Sequence, residues 1–291
     1  MKGLCVIVCW LIIYPSYSQD FSFVFMTDIH IKHEKGAAIG FKKAIDTANK
    51  LPADFVITGG DLVFDVLRGN KPRADSLFRL YKSSIQHFRM PVYNCIGNHE
   101  LFGIYTEESG LDSTDRDYKY GMYERYLGPT YYSFDHKGWH FIVLNSIEEN
   151  NGRYIGLVGT RQLEWLKKDL SAVAVNTPIA VVTHIPLVSS FQQIFPSPGN
   201  ATAAGGQWIS NREEVLSLFN DKNLRLVLQG HLHWLEDINV RNKTRFITGG
   251  AIAGRPSWRG TEHNEEGFLH VKIKDGEISW DYIDYGWEPR E

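Results

Sequence analysis

The sequence predicts an α/β fold built on a mostly parallel sheet with helices packed against it. Two observations carry this expectation. The first hundred residues alternate short apolar runs with amphipathic stretches of helical period, and a βαβαβ order favours parallel strands. The second half reads as further strands with one more helix, and no linker-like stretch separates it from the first.

Taken in order, residues 21–27 form a continuous apolar run suited to a buried strand. Residues 36–51 are helical, because Ala37, Phe41, Ala44, Ile45 and Ala48 recur at steps of three and four. A second strand is expected over 54–58, closed by Gly59-Gly60, and a second helix over 73–88 with Leu77, Leu80, Tyr81, Ile85 and Phe88 on one face. A third strand is expected over 91–96, closed by Gly97. Residues 131–134 and 139–145 read as a hairpin, 160–173 as a helix, and 179–183 and 224–228 as strands. The stretches 235–240, 244–248, 267–273 and 277–283 read as successive strands joined by tight turns, two of them marked by Asn242-Lys243 and Asp275-Gly276.

The N-terminus has the pattern of a secretory signal peptide: Lys2, an apolar run over 4–14, Pro15, and small residues at Ser16 and Ser18. The expected organisation is therefore a leader over 1–18 and a single domain over 19–291, placing the protein in the periplasm or outside the cell. The apolar run is too short to span a bilayer, which takes about 20 residues, so no membrane span is expected in the mature chain. Of three cysteines, Cys5 and Cys9 fall in the leader and only Cys95 remains, so no intrachain disulfide is expected. Loss of Lys2 moves the formal charge from −3 to −4. That balance, without a basic block, argues against duplex nucleic acid as a partner. The sequence does not fix the oligomeric state.

Five short pieces carry the chemistry, each just past an expected strand: Asp28-Ile29-His30, Gly60-Asp61, Gly97-Asn98-His99-Glu100, Thr183-His184 and Gly230-His231-Leu232-His233. Ligand sites in α/β sheets form beyond the carboxyl ends of strands, so all five can meet at one edge. In extended chain, residues i and i+2 point the same way, so Asp28 with His30, and His231 with His233, can face one site. Glycines before Asp61, Asn98 and His231 permit tight turns there. Taken singly, an Asp-x-His or His-x-His pair is more often structural than functional. The five together form a set of imidazoles and carboxylates suited to manganese, iron or zinc. Asp28 and Asp61 return only two negative charges to two divalent ions, leaving about +2, which a phosphate group would balance.

In this combination the pieces resemble the motifs of the calcineurin-like metallophosphoesterases, from about residue 21 to the C-terminus. The resemblance implies a four-layer α/β/β/α sandwich of two mixed sheets, with a dinuclear metal site at the carboxyl edge of the strands. It implies that Asp28, His30 and His233 hold one metal, that Asn98, His184 and His231 hold the other, and that Asp61 bridges them. It implies that His99 is catalytic and contacts phosphate, and that Glu100 orients its loop. A metal-bridging hydroxide would attack phosphorus, with His99, if protonated, stabilising charge or protonating the leaving group. The C-terminal strands and Tyr285-Gly286-Trp287 resemble an extracytoplasmic bacterial branch of the superfamily. One departure is informative: purple acid phosphatases place Tyr three residues after the bridging Asp and lack the first-motif His, whereas Phe64 and His30 stand here.

The expected function is hydrolysis of a small phosphodiester. The alternatives are a phosphomonoesterase or nucleotidase that scavenges phosphate, and an inactive scaffold, which retention of every motif residue disfavours. Substrate contacts are expected from loops over 101–126, 185–211 and 249–263, with Trp208, Arg255 and Trp258 as candidates. His33 and Arg68 are left unassigned.

Overall fold

A computed structural model of the protein describes residues 19–194, 206–253 and 266–287. The elements run β1 (Phe21–Met26), α1 (Ala37–Ala48), β2 (Phe55–Thr58), α2 (Lys71–Ile85), β3 (Val92–Tyr93), α3 (Thr106–Ser109), α4 (Gly121–Leu127), β4 (Tyr132–His136) and β5 (Trp139–Val143). They continue with β6 (Ile147–Asn150), β7 (Arg153–Gly156), α5 (Thr160–Ala172), β8 (Pro178–Val182), α6 (Phe191–Ile194), α7 (Arg212–Ser217) and β9 (Asn223–Gln229). The last strands are β10 (Glu236–Val240), β11 (Thr244–Thr248), β12 (Gly267–Lys274) and β13 (Glu277–Asp284).

Two large sheets result, ordered β13-β12-β1-β2-β3 and β10-β11-β9-β8-β5-β4, with a separate β6-β7 hairpin. Both are mixed, not mostly parallel. Strands β1, β2 and β3 are parallel, as are β11, β9, β8 and β5. The antiparallel pairs β4-β5, β10-β11 and β12-β13 have connections too short for a crossover, while β12 returns from far along the chain to pair antiparallel with β1. Lys137-Gly138 (φ 46° and 86°) joins β4 to β5, and Asp275-Gly276 (φ 53° and 78°) joins β12 to β13. Positive φ at both central residues is what such two-residue hairpin turns require. The four C-terminal strands are not one meander: β10 and β11 finish the second sheet, while β12 and β13 return beside β1 in the first.

The alternation along β1 explains the layering. Phe21, Phe23 and Phe25 cluster with Phe55, Phe141, Val182, Leu228 and Leu269, drawn from both sheets, and fill the space between them. The intervening Val24 and Met26 join Phe41, Ala44 and Phe78 of the helices instead. On the second sheet, Ile142, Val181 and Val227 likewise join Leu163, Leu166 and Leu170 of α5. Helix, sheet, sheet, helix is therefore written in strand parity. The high aromatic content is spent here: Phe23 stacks on Phe55 at 4.9 Å, and Phe141 meets both edge-on.

Some boundaries move for local reasons. Helix α2 starts at Lys71 because the Asn70 side chain accepts from the Arg73 N–H at 3.1 Å, with Pro72 in the first turn. Strand β3 is shorter than expected, since the Cys95 N–H turns to the Thr58 hydroxyl at 3.1 Å instead of a ladder carbonyl. The expected loop over 101–126 contains α3 and most of α4.

Candidate dinuclear metal site

Strands β1, β2 and β3 share one direction, as do β8 and β9, so the chain that follows each leaves at the carboxyl edge of its sheet. The five motif pieces occupy those exits, and the structure brings all seven expected ligand residues and His99 together. Asp28, His30, Asp61, Asn98 and His184 are each at most 3% exposed.

Their atoms fall into two groups around Asp61. On one side, His30 Nε2 lies 3.1 Å from His233 Nε2, and Asp28 Oδ1 lies 3.2 Å from His233 Nε2. On the other, His184 Nε2 lies 3.1 Å from Asn98 Oδ1 and 3.2 Å from His231 Nδ1. Asp61 stands between: Oδ2 is 3.6 Å from His30 Nε2, and Oδ1 is 3.2 Å from His184 Nε2. His99 also comes within ligand range of His30 and Asp61. Its side chain is 24% exposed, unlike the enclosed residues beside it, so it faces the open side.

The donor set fits a pair of cations. Asp28 Oδ1 is buried without a hydrogen-bond partner among the described residues, while Oδ2 accepts from Thr27 Oγ1 at 2.7 Å and the His231 N–H at 3.0 Å. One oxygen is thus held by the fold and the other is left for a ligand. His184 Nδ1 donates to the Gly59 carbonyl at 2.7 Å, which turns the lone pair of Nε2 toward Asp61. Burial opposes charge on Asp28, but His233 and His184 outweigh it and hold the carboxyl below the usual range. Asp61 is likewise held well below, by His184 and His99 against its burial. Burial and His184 push His231 down to about 3, and burial and His99 push His30 well down. Ionised carboxylates and neutral imidazoles are the metal-binding forms. His184 is the exception: burial opposes its proton, yet Asp61 raises it to about 9.

The backbone that aims these groups is not extended. Asp28, His30, Asp61, His231 and His233 have φ of 55°, 46°, 52°, 72° and 50°. The expectation that i and i+2 converge through a strand-like pleat is corrected here: curled, left-handed loops do the aiming. Each such residue costs on the order of 1 kcal/mol. Cross-loop bonds hold the curl, including Asp28 N–H to Gly60 O at 3.0 Å and His30 N–H to Asp61 O at 2.8 Å. The glycine expectation is also only partly met. Gly60 has the positive φ of a tight turn (90°), but Gly230 is there for space, since a Cβ would lie 2.0 Å from Thr27 Oγ1.

Around this centre, Glu100 ties two loops, accepting from the Val63 N–H at 2.9 Å and the Gly97 N–H at 2.7 Å. Burial and Asp61 push its carboxyl up to about 8. The Asp65 N–H donates to His99 Nδ1 at 3.1 Å. Phe64 lies against both His30 and His99, with ring centres 6.2 and 6.0 Å away. Sequence reasoning missed Thr27, and it missed Tyr154 of the β6-β7 hairpin, whose ring meets His231 edge-on at 6.2 Å. His33 turns to Ser76 and Arg68 pairs with Asp65. Trp208 lines a cavity beside the site. Arg255 and Trp258 lie outside the described residues.

Two buried ligand groups sharing one carboxylate, at the carboxyl edge of a two-sheet α/β sandwich, define a dinuclear metallohydrolase. The chain belongs to the calcineurin-like phosphoesterase family, whose pattern it matches over residues 21–235, and is a hydrolase acting on phosphoester bonds. It is 27% identical over 240 residues to a manganese-dependent ADP-ribose/CDP-alcohol diphosphatase of Arabidopsis thaliana, covering 69% of this chain and 72% of the relative. It is 28% identical over 156 residues to purple acid phosphatase 23 of the same plant, covering 52% of this chain but only 30% of that protein. Its fold is similar to a dimetal phosphatase from Danio rerio, with a TM-score of 0.62 at 14% identity over 91% of this chain and 96% of the other. Among the described residues, no helix is long and apolar enough to cross a membrane.

Proposed function

We propose that the protein hydrolyses small phosphodiesters, with Asp28, His30 and His233 holding one metal, Asn98, His184 and His231 the other, and Asp61 bridging. The observation that carries this reading is the division of the Asp61 carboxylate, with one oxygen toward His30 and the other toward His184. When bound, the metal pair supplies Lewis acidity that lowers the pKa of water and offsets charge on the phosphoryl group.

The chain's own residues supply the rest. Asp28 and Asp61 return two negative charges, so the loaded site keeps an excess that favours an anionic substrate. His99 accepts at Nδ1 from the Asp65 N–H. Its neutral ring therefore carries its proton on Nε2, which faces Asp61 Oδ2 at 3.8 Å. It serves as a donor to a phosphoryl oxygen where charge grows in the transition state.

The relative named for ADP-ribose and CDP-alcohols supports a substrate with phosphorus linked on two sides, and makes manganese the first metal to test. The test loads the protein with manganese, iron or zinc and compares bis-p-nitrophenyl phosphate with p-nitrophenyl phosphate. Preference for the diester is expected. Preference for the monoester would establish the phosphatase alternative, and silence toward both with two metals bound would establish a scaffold. Export is also proposed, supported by Lys2 and the apolar run over 4–14 ahead of Pro15. N-terminal sequencing of protein recovered outside the cytoplasm should begin at Gln19, and a start at Met1 would contradict it.

A further inference from the structure

Beside the metal site lies a cavity of about 350 Å³. One wall is the chain after His184, from Pro186 to Ser189; Leu232, between His231 and His233, also lines it. Trp208 and Arg212 line it as well. The β6-β7 hairpin joins this cavity to the centre. Tyr154 meets the His231 ring and packs on Gly206, where a Cβ would fall 2.6 Å from the tyrosine ring. Gly156 backs Trp208 so closely that a Cβ would lie 2.1 Å from its carbonyl oxygen. The Ser210 N–H donates to Gly156 O at 2.8 Å, and the Ile209 N–H to Pro186 O at 3.1 Å. The stretch from Pro186 to Ser189 is pinned by buried Gln229, whose Oε1 accepts from Leu187 and Val188 N–H at 2.8 and 3.1 Å. Both stretches are thus held by the fold: the first continues from His184, and the second packs on the hairpin that carries Tyr154 to His231.

Arg212 is the unusual member among the half-buried arginines of the described residues: Arg73 pairs with Glu34, Arg225 donates to the Gly276 carbonyl and Arg245 pairs with Asp237. Arg212 is half-buried, and its guanidinium has no ion pair or hydrogen bond to any described residue. A guanidinium held on a cavity wall without a partner offers a planar fork for phosphate or carboxylate. The volume sits at the low end for small-molecule pockets, enough for one ring-bearing group and too small for a polymer.

We propose that this cavity receives the organic group of the substrate, with a ring against Trp208 and a second anionic group on Arg212. The preferred substrate then carries a second negative charge away from the phosphorus that is cleaved. The proposal rests on the phosphodiester reading for what occupies the metal pair.

The test uses the manganese-loaded full chain and calorimetric binding of thymidine 5′-monophosphate and thymidine 3′,5′-bisphosphate, which differ by one phosphate. The bisphosphate should bind at least about 10-fold more tightly, and Arg212→Gln should remove that preference while leaving affinity for the monophosphate unchanged. Trp208→Ala should weaken both ligands alike, by about 10-fold. Equal affinity in the unaltered protein, or an undiminished preference in Arg212→Gln, would overturn the subsite. Bis-p-nitrophenyl phosphate has no second anion, and its hydrolysis should be the same in Arg212→Gln. If the unaltered protein fails to hydrolyse that diester while the bisphosphate preference and its loss in Arg212→Gln stand, the diester reading falls and the anion subsite holds.

Discussion

Gly97 lies flush against Asp61: a Cβ at residue 97 would fall 2.0 Å from the Asp61 backbone nitrogen and 2.2 Å from its Oδ1. Gly97 has φ −112°, which any residue adopts, so its need for glycine is space alone. Gly97→Ala must push the proposed bridging carboxylate off its position. We expect a stability loss of about 1–3 kcal/mol and loss of at least one of two bound metals. Elemental analysis with thermal unfolding measures both, and unchanged metal content would show that Asp61 can move without harm.

His99 is the one member of the cluster assigned to substrate. His99→Ala should keep both metals and lose about 100-fold or more in turnover. Turnover within a few-fold of the original would remove His99 from the mechanism.

Phe64 packs beside the His30 and His99 rings, which lie 4.6 Å apart, and it carries no phenol oxygen to offer a metal. The iron-loaded protein should therefore lack the strong visible band of a metal-bound tyrosinate. A purple protein would mean that another tyrosine reaches the metals.

Above about pH 6.5, where the stability gained by the depressed His30 and His231 is already complete, two buried groups set the pH response of the metal-free protein. Burial raises the Glu100 carboxyl to about 8, so the folded state keeps a proton that the unfolded chain sheds above its ordinary value of 4.5. Asp61 raises His184 to about 9 from 6.5, again favouring a proton in the folded state. Both contributions are full at low pH and are lost as pH rises, Glu100 over roughly 4.5 to 8 and His184 over roughly 6.5 to 9. After chelation, Tm should fall between about pH 6.5 and pH 9, and Glu100→Gln should flatten part of that fall. With metal in place of the His184 proton, the dependence should be shallower. A Tm that rises with pH in the stripped protein would contradict this.

The sequence exposed what side-chain type alone can encode. The apolar runs before Asp28, Asp61 and His184 gave the strands, and the motif spacing gave the cluster. What escaped it depends on backbone and partners. Nothing in the letters of Asp28, His30 or His233 declares a left-handed φ, because only glycine advertises that freedom. The β6-β7 hairpin carries Glu148, Glu149, Asn150 and Arg153, too polar a pattern to read as strands, yet it delivers Tyr154 to His231. The sheets were read as mostly parallel because the helix-linked first hundred residues dominate the pattern. The antiparallel character comes partly from short hairpins and partly from β12, which pairs with β1 from far along the chain, a pairing that no local pattern announces. Arg212 shows no motif, and only its place on the cavity wall marks it.

The most direct test is an anomalous difference map from crystals of the manganese-loaded protein. Two peaks about 3.5–4 Å apart, one on each side of the Asp61 carboxylate, are expected. A single peak, or metal bound away from Asp61, would contradict the dinuclear centre on which the proposed chemistry depends.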